Sequence, residues 1–144
     1  MTDLSRASYW LLTFGLLSSL PAVASGGAQA LKLFQKQGMY EADGKTLKAK
    51  TKATIAHAVV NDVVLAANAY VWWARRQAAE TTLLGKLGAG TLATKEAAYM
   101  PATWMVVTEA VSLGLLLFSA NIGGALTYNY GVGFSAAGSK GKKQ

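Results

Sequence analysis

Hydrophobic residues make up 52% of the 144-residue chain and charged residues only 15%, which is typical of an integral membrane protein and predicts one domain over residues 1–144. Fourteen basic residues against seven acidic ones leave a net charge of +7. The chain has no cysteine, which excludes disulfides, thiolate metal sites and iron–sulfur clusters.

The first predicted membrane helix covers about residues 7–31, a stretch of 25 residues without a charge. At about 1.5 Å per residue, it is longer than a hydrocarbon core of roughly 30 Å. Residues 21–25 also resemble a signal-peptidase site. The lead before the stretch balances Arg6 with Asp3, however, and signal peptides begin with a positive charge. We therefore expect a helix that is retained in the mature protein.

Small residues follow one another at a spacing of four in this helix, at Ser18, Ala22 and Gly26. Small residues in line allow two helix backbones to approach closely, which is how membrane helices pack. We expect this face to pack against the second helix of the same chain. A homodimer face is the alternative.

The second predicted helix covers about residues 53–74 and carries several polar groups. At 100° per residue, His57, Asn61 and Asn68 form one stripe, while Asp62 lies roughly 140° from His57. Polar side chains inside a membrane span almost always face protein or water. This helix is therefore expected to contact protein on two sides, in a helical bundle.

The third predicted helix covers about residues 102–126, with Glu109 as its only charge. Gly123 and Gly124 near its end predict close helix packing, and Asn121 is expected to bond between helices. Aromatic and basic residues at the ends of the spans are predicted membrane-interface anchors. These anchors are Trp10, Trp72, Trp73, Arg75 and Arg76.

The antiparallel course of the second and third helices predicts which residues share a depth. From the rise per residue alone, Asn68 is expected at the level of Glu109. His57 and Asn61 are expected near the level of Asn121. Contacts between these residues would hold the bundle together by hydrogen bonds.

Two basic segments flank the predicted spans: a loop over residues 32–52 and a tail over 135–144, which is expected to be disordered. With three spans, both lie on one side, which then has nine lysines against five basic residues on the other. The positive-inside rule places this side in the cytoplasm, or in the matrix for a mitochondrial inner-membrane protein. Lysines clustered beside a membrane favour contact with anionic lipid over nucleic acid.

The ionisable groups of the spans allow two interpretations. His57, Asp62 and Glu109 could form a proton path, or they could be hydrogen-bonding groups that fix the packing of helices. We favour packing, because three groups spread over some 20 Å are sparse for a relay. His57 has no second ligand at suitable spacing for haem or metal, and no nucleophile–base pair is present. We therefore predict no catalytic, cofactor-binding or metal-binding residue.

Three stretches resemble a known family. They are residues 9–17, His57 with Asn61, and the glycine–tyrosine run at residues 122–133. Together they are similar to a family of small predicted membrane proteins of unknown function, found in bacteria and eukaryotes. Within that family, the chain is most similar to an accessory membrane subunit of fungal mitochondrial NADH:ubiquinone oxidoreductase (complex I).

The resemblance implies a non-catalytic subunit of the mitochondrial inner membrane that packs against other membrane subunits and binds phospholipids but no cofactor. The family pattern usually begins with one more apolar helix, so the chain is either a three-helix member or a four-helix fold lacking its first helix. Two other functions remain open. One is a small redox protein that binds haem or quinone at His57, and the other is a proton or small-solute carrier that uses Asp62 and Glu109.

Overall fold

The computed structural model describes residues 2–84 and 99–132. These ranges contain three α-helices, α1 (Thr2–Gln37), α2 (Ala49–Leu84) and α3 (Thr103–Tyr130), and no β-strand. All three helices are long and apolar enough to span a membrane. The predicted all-α class with three membrane helices is confirmed.

Each helix is longer than its apolar stretch. Helix α1 continues to Gln37 and α2 begins at Ala49, so both take residues from the predicted basic loop. Lysine, glutamine and alanine favour helices, so a helix can continue after its side chains become polar. Pro21 lies inside α1. The predicted tail over 135–144 lies outside the described residues, and the single domain over 1–144 stays a prediction.

Glycines with positive φ end two of the helices. Gly38 has φ 66° and follows α1, and Gly131 has φ 63° and follows α3. The Gly38 amide donates to the Phe34 carbonyl at 3.0 Å, and the Gly131 amide donates to the Thr127 carbonyl at 3.0 Å. Glycine adopts this left-handed conformation without a steric penalty, which makes it the usual residue at this position.

A tight turn connects α1 to α2. Tyr40 and Leu47 form an isolated antiparallel bridge, and the Glu41 amide donates to the Thr46 carbonyl at 2.8 Å. Inside the turn, Asp43 accepts hydrogen bonds from the Lys45 and Thr46 amides at 3.0 and 2.9 Å. The carboxylate of Asp43 therefore organises the turn through backbone donors.

The hydrogen bonds of Asp43 predict an acid-sensitive turn. The Thr46 hydroxyl and amide, followed by the Lys45 amide, hold the pKa of Asp43 below its ordinary value of 3.8. Because the pKa is lower in the folded turn, its stabilisation is complete above about pH 4 and is lost as the pH falls through the folded pKa. Asp43→Ala should abolish the protection of the Thr46 amide from hydrogen exchange at neutral pH. Glu41→Ala should leave it unchanged, and equal protection in both variants would contradict this role.

The chain divides into two compact units, each with a segment of all three helices. The first contains the described residues 2–20, 63–84 and 99–114. Its buried residues are Ser5, Val64, Val71, Arg75, Met105 and Ser112. Half of these side chains are polar, so hydrogen bonds contribute to this interior alongside apolar packing.

The second unit contains the described residues 21–62 and 115–132. Its buried residues are Thr51, Thr54, Ser119 and Leu126. Three of the four are small hydroxyl residues, which are enriched where membrane helices pack. Large apolar side chains are instead exposed, among them Val23, Leu31, Val59, Leu117 and Phe118. This distribution fits a chain whose outer surface is covered by lipid or by other membrane proteins.

Candidate functional site

The first unit is built around a buried arginine. Arg75 lies on α2 within the candidate span Ala49–Ala78, and only 3% of its surface is exposed. Its Nη2 lies 3.0 Å from the Ser5 carbonyl, 2.9 Å from the Ser8 hydroxyl and 3.2 Å from the Tyr99 carbonyl. Its Nη1 lies 3.4 Å from Oε1 of Glu109. One guanidinium thus connects α1, α2, α3 and the segment before α3.

Aromatic rings surround the guanidinium. Cζ of Arg75 lies 5.6 Å from the centroid of the Tyr9 ring, within the range of a cation–π interaction. The Trp72 ring stacks on Tyr9 at 6.4 Å, and Tyr99 meets Tyr9 edge-on at 5.6 Å. Nε1 of Trp72 donates to the Thr13 hydroxyl at 2.9 Å. We call this group the Arg75 cluster: Ser5, Ser8, Tyr9, Thr13, Trp72, Arg75, Tyr99 and Glu109.

The chemistry of the Arg75 cluster is that of a fixed cation. An arginine side chain in a protein keeps its proton, so it donates hydrogen bonds but does not act as an acid or a base. The neighbouring carboxylate of Glu109 is 32% exposed. Nε of Arg75 is buried and has no acceptor among the described residues. The arrangement therefore favours holding helices together over moving protons.

A second polar cluster lies in the second unit, where α2 meets α3. Nδ1 of His57 lies 2.9 Å from the Ser119 carbonyl and 3.0 Å from the Ser119 hydroxyl. The Asn61 amide donates to the Ser119 hydroxyl at 2.8 Å and to the His57 carbonyl at 2.7 Å. Ser119 is only 1% exposed. We call these three residues the His57 cluster.

The bond to the Ser119 carbonyl assigns the tautomer of His57. A carbonyl oxygen only accepts hydrogen bonds, so Nδ1 carries the hydrogen of this bond. Nε2 has no hydrogen-bond partner among the described residues. The imidazole is thus held through one nitrogen.

The His57 cluster requires a glycine on α3. A Cβ added at Gly123 would lie 3.0 Å from Cε1 of His57, closer than ordinary packing allows. A Cβ added at Gly124 would meet no atom within 4 Å. Of the two adjacent glycines, Gly123 is therefore the one that admits the imidazole ring.

The whole of this arrangement falls within one recognised family. The model of the family described as "Predicted membrane protein (DUF2231)" matches residues 2–136 of the chain. The chain belongs to the DUF2231 family. No curated protein matches the chain. No solved structure matches it either.

The sequence predicted which residues of α2 and α3 share a depth in this DUF2231 protein. The observed contacts lie near that depth but on a different face of α3. His57 and Asn61 contact Ser119, and His57 faces Gly123, whereas Asn121 is exposed. Residues two apart on a helix point about 200° from one another, so Ser119 and Gly123 face α2 when Asn121 does not. The predicted depth of the partners of His57 and Asn61 was therefore close to the observed depth, but their contacts are not on the face of α3 that carries Asn121.

Among the described residues, Glu109 pairs with Arg75, and the Asn68 side chain donates to the Val64 carbonyl of its own helix. Arg75, predicted as an interface anchor, lies inside the first unit. Trp72, another predicted anchor, belongs to the Arg75 cluster, and the remaining predicted residues are not part of either cluster. The exposed ones are Trp10, Ser18, Ala22, Gly26, Asp62, Trp73 and Arg76. The small-residue row of α1, which was expected to pack against α2, is therefore exposed among the described residues.

Several contributors to the two clusters were missed from the sequence. Ser5, Ser8 and Thr13 fall near the start of α1, where a predicted membrane helix offers no reason to single out a hydroxyl. Tyr99 accepts the hydrogen bond from Arg75 through its backbone carbonyl, which any residue carries. Ser119 lies four residues before Gly123, and a helical face containing both was the one available sign. No group of three or more metal-binding side chains occurs in the described ranges.

Proposed function

We propose that this DUF2231 protein is a non-catalytic membrane subunit that stabilises a larger respiratory assembly. The main support is the Arg75 cluster, in which one permanently charged side chain is bonded to four groups around it. A cation held in this way fixes the positions of helices and does not perform acid–base chemistry. Under this proposal the protein contributes packing surface, binds phospholipids on its apolar faces and holds no cofactor.

The proposed assembly is mitochondrial complex I. Its support is the resemblance of residues 9–17 and 122–133, with His57 and Asn61, to an accessory subunit of the fungal complex. Under this proposal the protein lies in the inner membrane. Its lysine-rich first loop and tail face the matrix, in accordance with the positive-inside rule.

The carrier alternative receives less support from the geometry. A carrier needs carboxylates that can release and take up protons along a path. Glu109 is paired with Arg75, whose charge does not change. Asp62 is exposed, and its side chain makes no hydrogen bond or ion pair with the described residues. Neither carboxylate is therefore linked to a second titratable acid–base group.

One observation favours the redox alternative, namely that Nε2 of His57 has no hydrogen-bond partner among the described residues. A histidine that ligates haem commonly donates its other ring hydrogen to a carbonyl, as Nδ1 does to Ser119. Absorbance of the protein purified from its native membrane separates the two functions. The structural proposal expects no Soret band, and a Soret band that His57→Ala removes would establish haem binding.

Native gel electrophoresis tests the proposed function directly. We expect the tagged full-length chain, extracted in mild detergent, to migrate with a large assembly that contains NADH dehydrogenase subunits by mass spectrometry. Deleting the gene should lower the amount of intact assembly more than the specific activity of what remains. Migration of the chain as a small free oligomer would contradict the proposal.

A further inference from the structure

Asp62 lies deep within a candidate membrane span. It is 13 residues after Ala49 and 16 before Ala78, the ends of that span. At about 1.5 Å per residue, it lies about 20 Å from Ala49 and about 24 Å from Ala78, near the middle of the hydrocarbon core. An ionised carboxylate at this depth is costly unless a cation neutralises it.

No group among the described residues neutralises this carboxylate. Asp62 is exposed and forms no hydrogen bond or ion pair there. The nearest cation before it on α2 is Lys52, about 15 Å away along the helix axis. Arg75 is already occupied by Glu109, Ser8 and two carbonyls. The charge of Asp62 is therefore uncompensated within the described part of the chain.

The surroundings of Asp62 on α2 suit the approach of another helix. Ala58 and Val59 precede it in the second unit, and both are exposed. The small side chain of Ala58 lets a second helix backbone come close to this surface. We call these three residues the Asp62 face.

We propose that the Asp62 face docks a transmembrane helix of another subunit, and that a basic side chain of that helix pairs with the Asp62 carboxylate. This inference rests on the proposed function, since it requires a larger assembly, and it names the chemistry of the partner. Charge complementarity carries the argument. A carboxylate on an apolar helix face in mid-membrane calls for a cation presented from an equally apolar helix.

Two other sources of the cation are less suitable. The ammonium groups of phospholipids lie at the membrane surface, roughly 15 Å from the middle of the hydrocarbon core. A second copy of the chain would bring the same Asp62, and the candidate span of α2 offers no free cation near its middle. A different protein that carries a buried lysine or arginine fits better than either.

Labelling with dicyclohexylcarbodiimide, an apolar reagent for protonated carboxyl groups, tests the pairing in the wild-type protein. We expect Asp62 to be unlabelled in the native assembly and labelled after detergent dissociates it, with Asp62→Asn giving the background. Equal labelling in both states would overturn the proposal. This comparison uses the unmodified chain, so it does not depend on how a variant folds.

Native gels of variants supply the second measurement. Asp62→Asn should reduce the share of the chain in the large assembly by tenfold or more, because unpairing a charge in apolar surroundings costs at least about 1.4 kcal/mol. Glu41→Gln, the same chemical change on the exposed turn, should leave that share unchanged.

The outcomes separate this inference from the proposed function. If Asp62→Asn enters the assembly as well as wild type does, the Asp62 pairing is wrong and the subunit proposal stands. If the wild-type chain itself migrates alone, both fail. If Asp62 is needed only to form a small oligomer of identical chains, the partner of different sequence is excluded.

Discussion

Arg75→Gln is expected to lower the free energy of unfolding by about 3 kcal/mol, measured by SDS titration of the protein in mixed micelles. The substitution removes the guanidinium that reaches Ser5, Ser8, Tyr99 and Glu109. Hydrogen bonds to charged groups contribute about 1.5–3 kcal/mol each, and the three acceptors of Nη2 lose theirs. Loss of the ion pair adds little, because the Glu109 side chain is 32% exposed and water compensates part of its charge.

The adjacent arginine is the matched control for this prediction. Arg76 is exposed, and its guanidinium lies 5.7 Å from the Trp72 ring centroid. Substitution of an exposed side chain usually changes stability less than loss of a buried one, so Arg76→Gln should cost less than Arg75→Gln. An equal loss of unfolding free energy in the two variants would show that the buried contacts of Arg75 do not stabilise the protein more than the exposed contacts of Arg76.

A further variant separates the ion pair from the rest of the Arg75 cluster. Glu109→Gln removes the negative charge but leaves the three acceptors of Nη2 in place. A partly exposed pair at 3.4 Å contributes up to about 1 kcal/mol, so this variant should lose far less than Arg75→Gln. A similar loss in both would mean that the ion pair, rather than the cluster, accounts for the stability.

Gly123→Leu is expected to lower the free energy of unfolding by about 2 kcal/mol, because overpacking a tight interior typically costs about 1–3 kcal/mol. The Cβ of any side chain at this position meets Cε1 of His57 at 3.0 Å. The imidazole must therefore give way by a few tenths of an ångström, which strains its bonds to Ser119. SDS titration measures the loss, and chemical shifts of the labelled imidazole report the displacement of the ring.

Gly124→Leu is the matched control, since it makes the same change one residue further along α3 where no atom lies within 4 Å. Both substitutions gain the same helix propensity, so their difference isolates the contact with His57. Gly124→Leu should leave stability unchanged or raise it by up to about 0.8 kcal/mol. Adding His57→Ala should recover part of the loss in Gly123→Leu, because the smaller side chain gives the leucine room. A loss that His57→Ala does not reduce would contradict the steric explanation.

The three membrane helices were predictable because the bilayer requires each segment that crosses it to satisfy its own backbone hydrogen bonds. A bilayer has no water to bond backbone groups, so a long apolar stretch must form a helix. The stretches at residues 7–31, 53–74 and 102–126 satisfy this condition, and all lie within or nearly within the observed helices. The extra turns at their ends were less predictable, because polar residues are compatible with both helix and loop.

The two clusters were predictable only in part. His57 and Asn61 were identified because polar residues in a span need partners, and the depth of those partners followed from the rise per residue. Their partner proved to be Ser119, four residues before Gly123, because the opposite face of α3 carries Asn121. Rise per residue predicts how deep a residue lies, and it says nothing about which way the helix is turned.

Arg75 shows most clearly which features the sequence determines and which the tertiary structure determines. The sequence by itself determined that a basic residue follows two tryptophans near the end of a membrane helix, which is typical of an interface anchor. Only the tertiary structure decided that Arg75 is buried while Arg76, its neighbour, is exposed. Successive residues on a helix point 100° apart. Which of the two faces the interior therefore depends on contacts with Ser5, Ser8 and Tyr99, which are distant in the chain.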